Sequence, residues 1–236
     1  MARFGVSPEQ VVRDHVISHA LAAISTLGTD RVVFFGGTAL SRTLLAEHRL
    51  SEDIDLIALG DRRETGAAIQ RVIERQFRRT LGTAVFTPGL GETRHPDPSV
   101  LAVGRIRIQV QLLTSEGYPR WPTEVVDIEQ RYTDAPDARL RVLTPAAFVA
   151  AKLAAWTDRR VSRDLYDLWA LAQAGRINDE AAQLFGRHGQ YTTVENVSFV
   201  ELPTNSAWQD SLGHQGFIKV SPEEAARVVS AAIAAL

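Results

Sequence analysis

The sequence predicts an α+β fold, with a mixed sheet and packed helices over residues 1–143 and a helical domain over 144–236. Three observations carry this. Up to residue 143 the apolar runs switch between helical and strand spacing in the order α-β-α-β-α and then continue as short strands. From 144 onward the spacing is almost wholly helical. The length, 236 residues with 45% hydrophobic and 23% charged, permits cores of this size in an ordinary globular protein.

The elements follow in order. "SPEQ" at Ser7, "TPAA" at Thr144 and "SPEE" at Ser221 each place a hydroxyl at a helix N-cap and a proline at the first helical position. Gln10 and Glu224 then stand where they would complete capping boxes. After Ser7 a wide apolar stripe (Val12, Val16, Ile17, Ala20, Leu21, Ala23, Ile24, Leu27) predicts a packed helix ending near Gly28. "RVVFF" reads as a strand bounded by Gly36 and Gly37, "TALSRTLLAEH" as a helix, and "DIDLIAL" as an alternating strand. A helix over 64–81 is followed by strands near 83–87, 99–103, 105–113 and 124–129, a loop at 132–139 and a strand at "LRVL". Helices are predicted at 145–157, 161–174, 178–187, 205–213 and 222–235.

A net charge of −2 excludes a chain that is basic throughout. Arginines nevertheless crowd residues 62–107, as a solvated helix face or a track for phosphates. The absence of cysteine excludes disulfides and thiolate metal sites. "MARFGVSPEQ" has no apolar signal region, and no apolar run is long enough to cross a bilayer, so a cytoplasmic protein without a membrane role is expected. Lysine is confined to Lys152 and Lys219, which singles out Lys152 within an alanine-rich helix.

The chemistry centres on "FFGGTAL" and "SEDIDL". Gly36 and Gly37 lack Cβ and let a ligand approach the backbone, and the helix after them points N–H groups at an anion. Thr38 and Ser41 would add hydroxyl donors. Alone, such a pair is more often a structural turn. Asp53 and Asp55, two residues apart on a strand, project to one side. Their repulsion is relieved by a hard divalent cation.

A glycine loop, one helix and D-x-D on the next strand is the layout of nucleotidyltransferases of the DNA polymerase β type. The stretch "GGTAL…RLSEDIDL" resembles the AbiEii/MenT family of nucleotidyltransferase toxins from bacterial toxin–antitoxin systems. A second block agrees: Lys152 in "TPAAFVAAKLAAW", then "DRRVSRDLYDL", where Arg163, Asp164, Asp167 and Leu168 fill an R-D-x-x-D-L motif. The resemblance implies a polymerase β-type core and an enzyme of the EC 2.7.7 type. It would be NTP-dependent, with Mg²⁺, or Mn²⁺ in its place, on Asp53 and Asp55. Gly36, Gly37, Thr38, Ser41, Lys152 and Arg163 would bind the nucleotide, with Asp164 essential. The implied acceptor is RNA, at a tRNA 3′ end, with translation blocked, and the implied partner is a cognate antitoxin, either protein-acting or kinase-like. A protein or small-molecule acceptor, or a weakly catalytic nucleotide-binding module, is the alternative.

In an unbroken helix over 145–172, Lys152, Arg159, Arg163 and Tyr166 would share a face, which a break near 158–161 would alter; either way, cations of this segment are expected to converge on the cleft beside Asp53 and Asp55. Arg163 and Asp164 are expected to pair. The third carboxylate usual in such enzymes is missing: "RIRIQVQLL" offers Gln109 or Gln111, which cannot act as a base near neutral pH. Asp164 is a substitute. His15 and His19, at i and i+4, show no third metal ligand nearby and read as helix residues.

Overall fold

A computed structural model describes residues 4–236, so the first three residues of the expected 1–143 domain lie outside the described residues. The chain divides into two compact units. The first holds Val6–Ala46 and Leu50–Val142; the second holds residues 4–5, Glu47–Arg49 and Leu143–Leu236.

The first unit is built from α1 (Pro8–Ser25), β1 (Val32–Phe35), α2 (Gly36–Ser41), β2 (Ile54–Ala58), α3 (Arg62–Thr80), β3 (Ala84–Thr87), β4 (Ser99–Val103), β5 (Ile106–Thr114), β6 (Thr123–Ile128) and β7 (Ala138–Leu143). The strands form one seven-stranded mixed sheet in the order β3-β4-β5-β2-β1-β7-β6. β1 runs antiparallel to β2 and parallel to β7, while β2 runs parallel to β5. β2 therefore lies inside the sheet, and Ile54 and Leu56 are fully buried. α3 packs through Ile69, Ile73 and Phe77, all 0% exposed at four-residue steps. Each such side chain contributes about 1.5–3 kcal/mol by leaving water. α1 is more enclosed than a one-sided stripe: from Val16 to Ile24 every residue is buried, although Val12 is 48% exposed.

The helix expected over 38–48 is only six residues long, Gly36–Ser41. Tertiary contacts end it. The guanidinium of Arg42, 1% exposed, donates to Asp14 Oδ1 at 2.7 Å and to the Glu129 carbonyl at 2.9 Å. Burial alone would lower the pKa of Arg42, and despite the Asp14 carboxylate it falls to about 10. Arg131 donates to Asp14 Oδ1 and to the Ser41 carbonyl at the end of α2.

The second unit adds α4 (Pro145–Arg159), α5 (Ser162–Gln173), α6 (Asp179–His188), a 3₁₀ turn at Val194–Asn196, α7 (Asn205–Leu212) and α8 (Pro222–Ala234). Its core includes Trp156 and Trp208, whose indole N–H groups donate to the carbonyls of Ser198 and Val220. Ser7, Thr144 and Ser221 cap α1, α4 and α8 through their hydroxyls. The expected return bonds from Gln10 and Glu224 give way to arginines one turn on, Arg13 and Arg227. No helix of the described residues is long and apolar enough to cross a membrane.

Candidate active site

The strand-to-helix turn is made in one residue: β1 ends at Phe35 and α2 begins at Gly36. Gly36 has φ +76°, a region that L side chains rarely adopt. A Cβ there would overlap Asp55 Oδ2 and lie 2.9 Å from Asp55 Cγ. The Asp55 carboxylate thus fills the space that the missing side chain leaves. It arrives there because the β1–β2 register sets Asp55 opposite Phe35. Asp53 stands just before β2, and its carbonyl accepts the Thr38 hydroxyl. Ser41 Oγ donates in turn to the Thr38 carbonyl at 3.0 Å. Both hydroxyls, expected as ligand donors, are buried and turned to main-chain acceptors. Phe35, Gly36, Gly37, Asp53 and Asp55 are all partly exposed, so a ligand can reach the loop and the carboxylates.

The register of β2 and β5 separates the two glutamines. Gln111 is the Cα partner of Asp55, while Gln109 pairs with Val100 on the other side of β5. Gln111 therefore stands beside Asp55 on the same face, its amide donating to the Pro96 carbonyl at 2.8 Å. Gln109 is exposed.

In the second unit the helix does break. Arg160 takes a left-handed conformation (φ 49°, ψ 40°) between α4 and α5, so the single face through Lys152 and Arg163 does not form. The break turns α5 so that Asp164 and Asp167 meet Lys152. Its ammonium lies 3.0 Å from Asp164 Oδ1 and 2.7 Å from Asp167 Oδ2. Asp164 also accepts from Arg159 Nε at 2.7 Å, and Asp167 takes a two-pronged bond from Arg49, 2.8 Å on each prong. Arg49 also donates to Gln215 Oε1 at 2.8 Å. The expected Arg163–Asp164 pair is replaced by these contacts, and Arg163 makes no ion pair with any described residue.

Among the described residues, Arg49, Lys152 and Arg159 face the carboxylates of Asp164 and Asp167. Burial would raise the Asp164 carboxyl, but Lys152 and Arg159 overcome it and hold it at about 2. Burial would likewise lower Lys152, yet Asp167 and Asp164 hold it above the ordinary lysine value. Arg49 lies within the "RLSEDIDL" stretch, but no local pattern singles it out; its burial and its two bonds to Asp167 do.

Two further expectations change. Arg62 is not part of a phosphate track, since it donates to the Leu112 carbonyl and to Thr93. Arg63, Arg71, Arg75, Arg78, Arg79, Arg105 and Arg107 are exposed. The histidine pair does have a third potential ligand: Asp134 lies 2.9 Å from His15 Nε2. A loop residue 119 positions away gives no local signal of this.

With this geometry in place, the chain can be set beside known proteins. The sequence model of a family described as nucleotidyl transferase AbiEii toxin, type IV TA system, matches residues 19–226. No curated protein matches the chain. The solved structure of MenT4, a nucleotidyltransferase toxin from Mycobacterium tuberculosis H37Rv, is similar with a TM-score of 0.70 at 21% identity, over 96% of this chain and 83% of its own. An antigenic nucleotidyltransferase-like protein from Paracoccidioides brasiliensis gives a TM-score of 0.44 at 14% identity, over 77% of this chain and 88% of its own. The likeness to MenT4 shows a shared fold.

Proposed function

Because the chain belongs to the AbiEii family of nucleotidyltransferase toxins, of type IV toxin–antitoxin systems, we propose that it transfers a nucleoside monophosphate from an NTP to the 3′ end of a tRNA and so blocks translation. Family membership implies an NTP substrate, a divalent metal and a cognate antitoxin. The RNA acceptor and Mg²⁺ as the metal are our reading, with Mn²⁺ as its substitute.

The observation that carries the reading is the Asp55 carboxylate folded into the space over Gly36, with Asp53 held beside the same loop through Thr38. Two partly exposed carboxylates, two residues apart, are a hard oxygen donor set that fits Mg²⁺. Bound there, Mg²⁺ would supply charge neutralisation at the phosphates and activation of the acceptor hydroxyl. The main-chain N–H groups of Gly36 and Gly37 orient the phosphates, and Thr38 and Ser41 keep the loop in shape. The acceptor hydroxyl attacks the α-phosphorus and gives its proton to solvent water, the bond to the β-phosphate breaks, and pyrophosphate leaves. Gln111 positions a hydroxyl or a water without taking its proton. Lys152 and Arg163 are assigned to the nucleotide phosphates by the motif resemblance alone; Lys152 itself is buried against Asp164 and Asp167. Asp164, held near 2, is a poor base; its part is to hold Lys152.

The test compares wild type with Asp53→Ala/Asp55→Ala in bacteria and in vitro. Wild type should arrest growth and move label from an NTP into RNA with release of pyrophosphate. The double variant should lose at least about 10²-fold in transfer. Toxicity that survives the double substitution would overturn the metal assignment, and label found only in protein would overturn the RNA acceptor. The glutamine beside Asp55 favours one second reading, a nucleotide-binding module with little catalysis. NTP binding without pyrophosphate release from any acceptor pool would establish it.

A further inference from the structure

We propose that His15 Nε2, His19 Nε2 and one Asp134 carboxylate oxygen form a second metal site, for Zn²⁺, separate from Asp53 and Asp55. His15 and His19 lie one turn apart on α1, and Asp134 lies in the loop between β6 and β7. The two Nε2 atoms are 3.2 Å apart. Asp134 Oδ2 lies 2.9 Å from His15 Nε2 and 3.5 Å from His19 Nε2. Three ligands of a tetrahedral Zn²⁺, each at about 2.0–2.1 Å, stand roughly 3.3 Å from one another. The observed edges, 2.9, 3.2 and 3.5 Å, lie around that value.

Protons satisfy the triangle only in part. If His15 Nε2 carries a proton toward Asp134, it has no lone pair to accept from His19 Nε2. If His19 Nε2 donates to His15 Nε2, then His15 presents a lone pair to the Asp134 carboxylate, and the two repel. Protons on both nitrogens let both rings donate to Asp134, but the bond from His19 is long at 3.5 Å and the two N–H groups then stand only 3.2 Å apart. A cation at the centre makes all three contacts favourable at once.

Two nitrogens and one carboxylate oxygen are borderline ligands suited to Zn²⁺ and poorly suited to Mg²⁺. His19 is 1% exposed, whereas the Asp134 side chain is 64% exposed, so the site opens to solvent and keeps a fourth position for water. The ion would tie the β6–β7 loop to α1. That loop is already anchored by Tyr132 Oη donating to the Val11 carbonyl at 2.8 Å and by Gln130 donating to the Ser18 carbonyl at 3.0 Å. His19 Nδ1 has no partner among the described residues, so the ring lacks the outer hydrogen bond that usually strengthens a ligating histidine. Affinity in the micromolar range is therefore expected rather than that of a closed structural site.

The test uses the full chain without a histidine tag, stripped of metal by a chelator. In the wild type and in Asp53→Ala/Asp55→Ala alike, zinc chloride should bind His15, His19 and Asp134 at one equivalent by calorimetry and raise the melting temperature, and magnesium chloride should not compete for that equivalent. His15→Ala and Asp134→Ala, at positions exposed enough to keep the fold, should each weaken Zn²⁺ binding by roughly tenfold or more. Asp53→Ala/Asp55→Ala should leave it unchanged. Absence of binding by the metal-free chain, binding unaffected by both ligand substitutions, or binding lost in the Asp53/Asp55 variant would each overturn the proposal.

Discussion

At the residue scale, Gly36 is the tightest constraint. It needs a positive φ and leaves no room for a Cβ beside Asp55. Gly36→Ala should therefore displace the Asp55 carboxylate, lower the melting temperature and abolish nucleotidyl transfer. Gly60, whose Cβ would meet nothing within 4 Å, is the control, and Gly60→Ala should change stability by no more than about 0.5 kcal/mol. Thermal unfolding and a pyrophosphate-release assay on both variants check this. The same scale shows where local reading works. Ser7, Thr144 and Ser221 cap their helices as expected, because an N-cap bond spans three residues and needs nothing distant. The partners of Gln10 and Glu224 differ from expectation because an arginine one turn on competes for the same side chain.

At the scale of elements, the α4–α5 break decides the second motif block. By turning α5 at Arg160 it buries Asp164 and Asp167 against Lys152 and brings Arg49 into the set. Asp167→Ala would leave Arg49 and Lys152 short of a counter-charge, at a cost of about 3–5 kcal/mol. Replacing Arg49 and Asp167 together by Met and Leu should cost clearly less than the sum of the single changes, as a double-mutant cycle by denaturant unfolding would show. α3 offers the opposite case: Ile69, Ile73 and Phe77 are buried, while Arg71, Arg75 and Arg78 are exposed. If that face tracks RNA phosphates, Arg71→Gln/Arg75→Gln/Arg78→Gln should weaken RNA labelling and flatten its salt dependence. Stability should stay within about 0.5 kcal/mol per site. Unchanged labelling across a salt series would leave these arginines as a solvated face.

For the whole molecule, the buried ion pairs set an acid limit. Asp164 sits at about 2 when folded, against 3.8 for a free side chain. A depressed carboxyl adds stability above its unfolded value and loses it as pH falls through the folded one. The contribution, about 2 kcal/mol at neutral pH, should fade between pH 4 and 2. Asp167 is shifted the same way by Arg49 and Lys152 against the effect of burial, and it adds to the loss in that window. Urea unfolding as a function of pH measures it, and Asp164→Asn should flatten the curve there, below its own lower plateau. A curve of equal steepness in Asp164→Asn would remove Asp164 as the cause.

The sequence by itself determined the order of elements, the two motif blocks and the family they resemble. Those properties rest on apolar periodicity, capping residues and spacing, which act within a few residues. It also showed that an acid was missing from β5, because strand alternation exposes which residues share a face. Only the tertiary structure decided that Gln111 rather than Gln109 stands beside Asp55, since that is a matter of register between strands far apart in the chain. It alone cut α2 to six residues, because the buried Arg42 has partners in α1 and near β6. It alone gave Lys152 two carboxylates and set Asp134 against His15 and His19. Such contacts depend on where a helix breaks and where a distant loop lands, which no local pattern encodes.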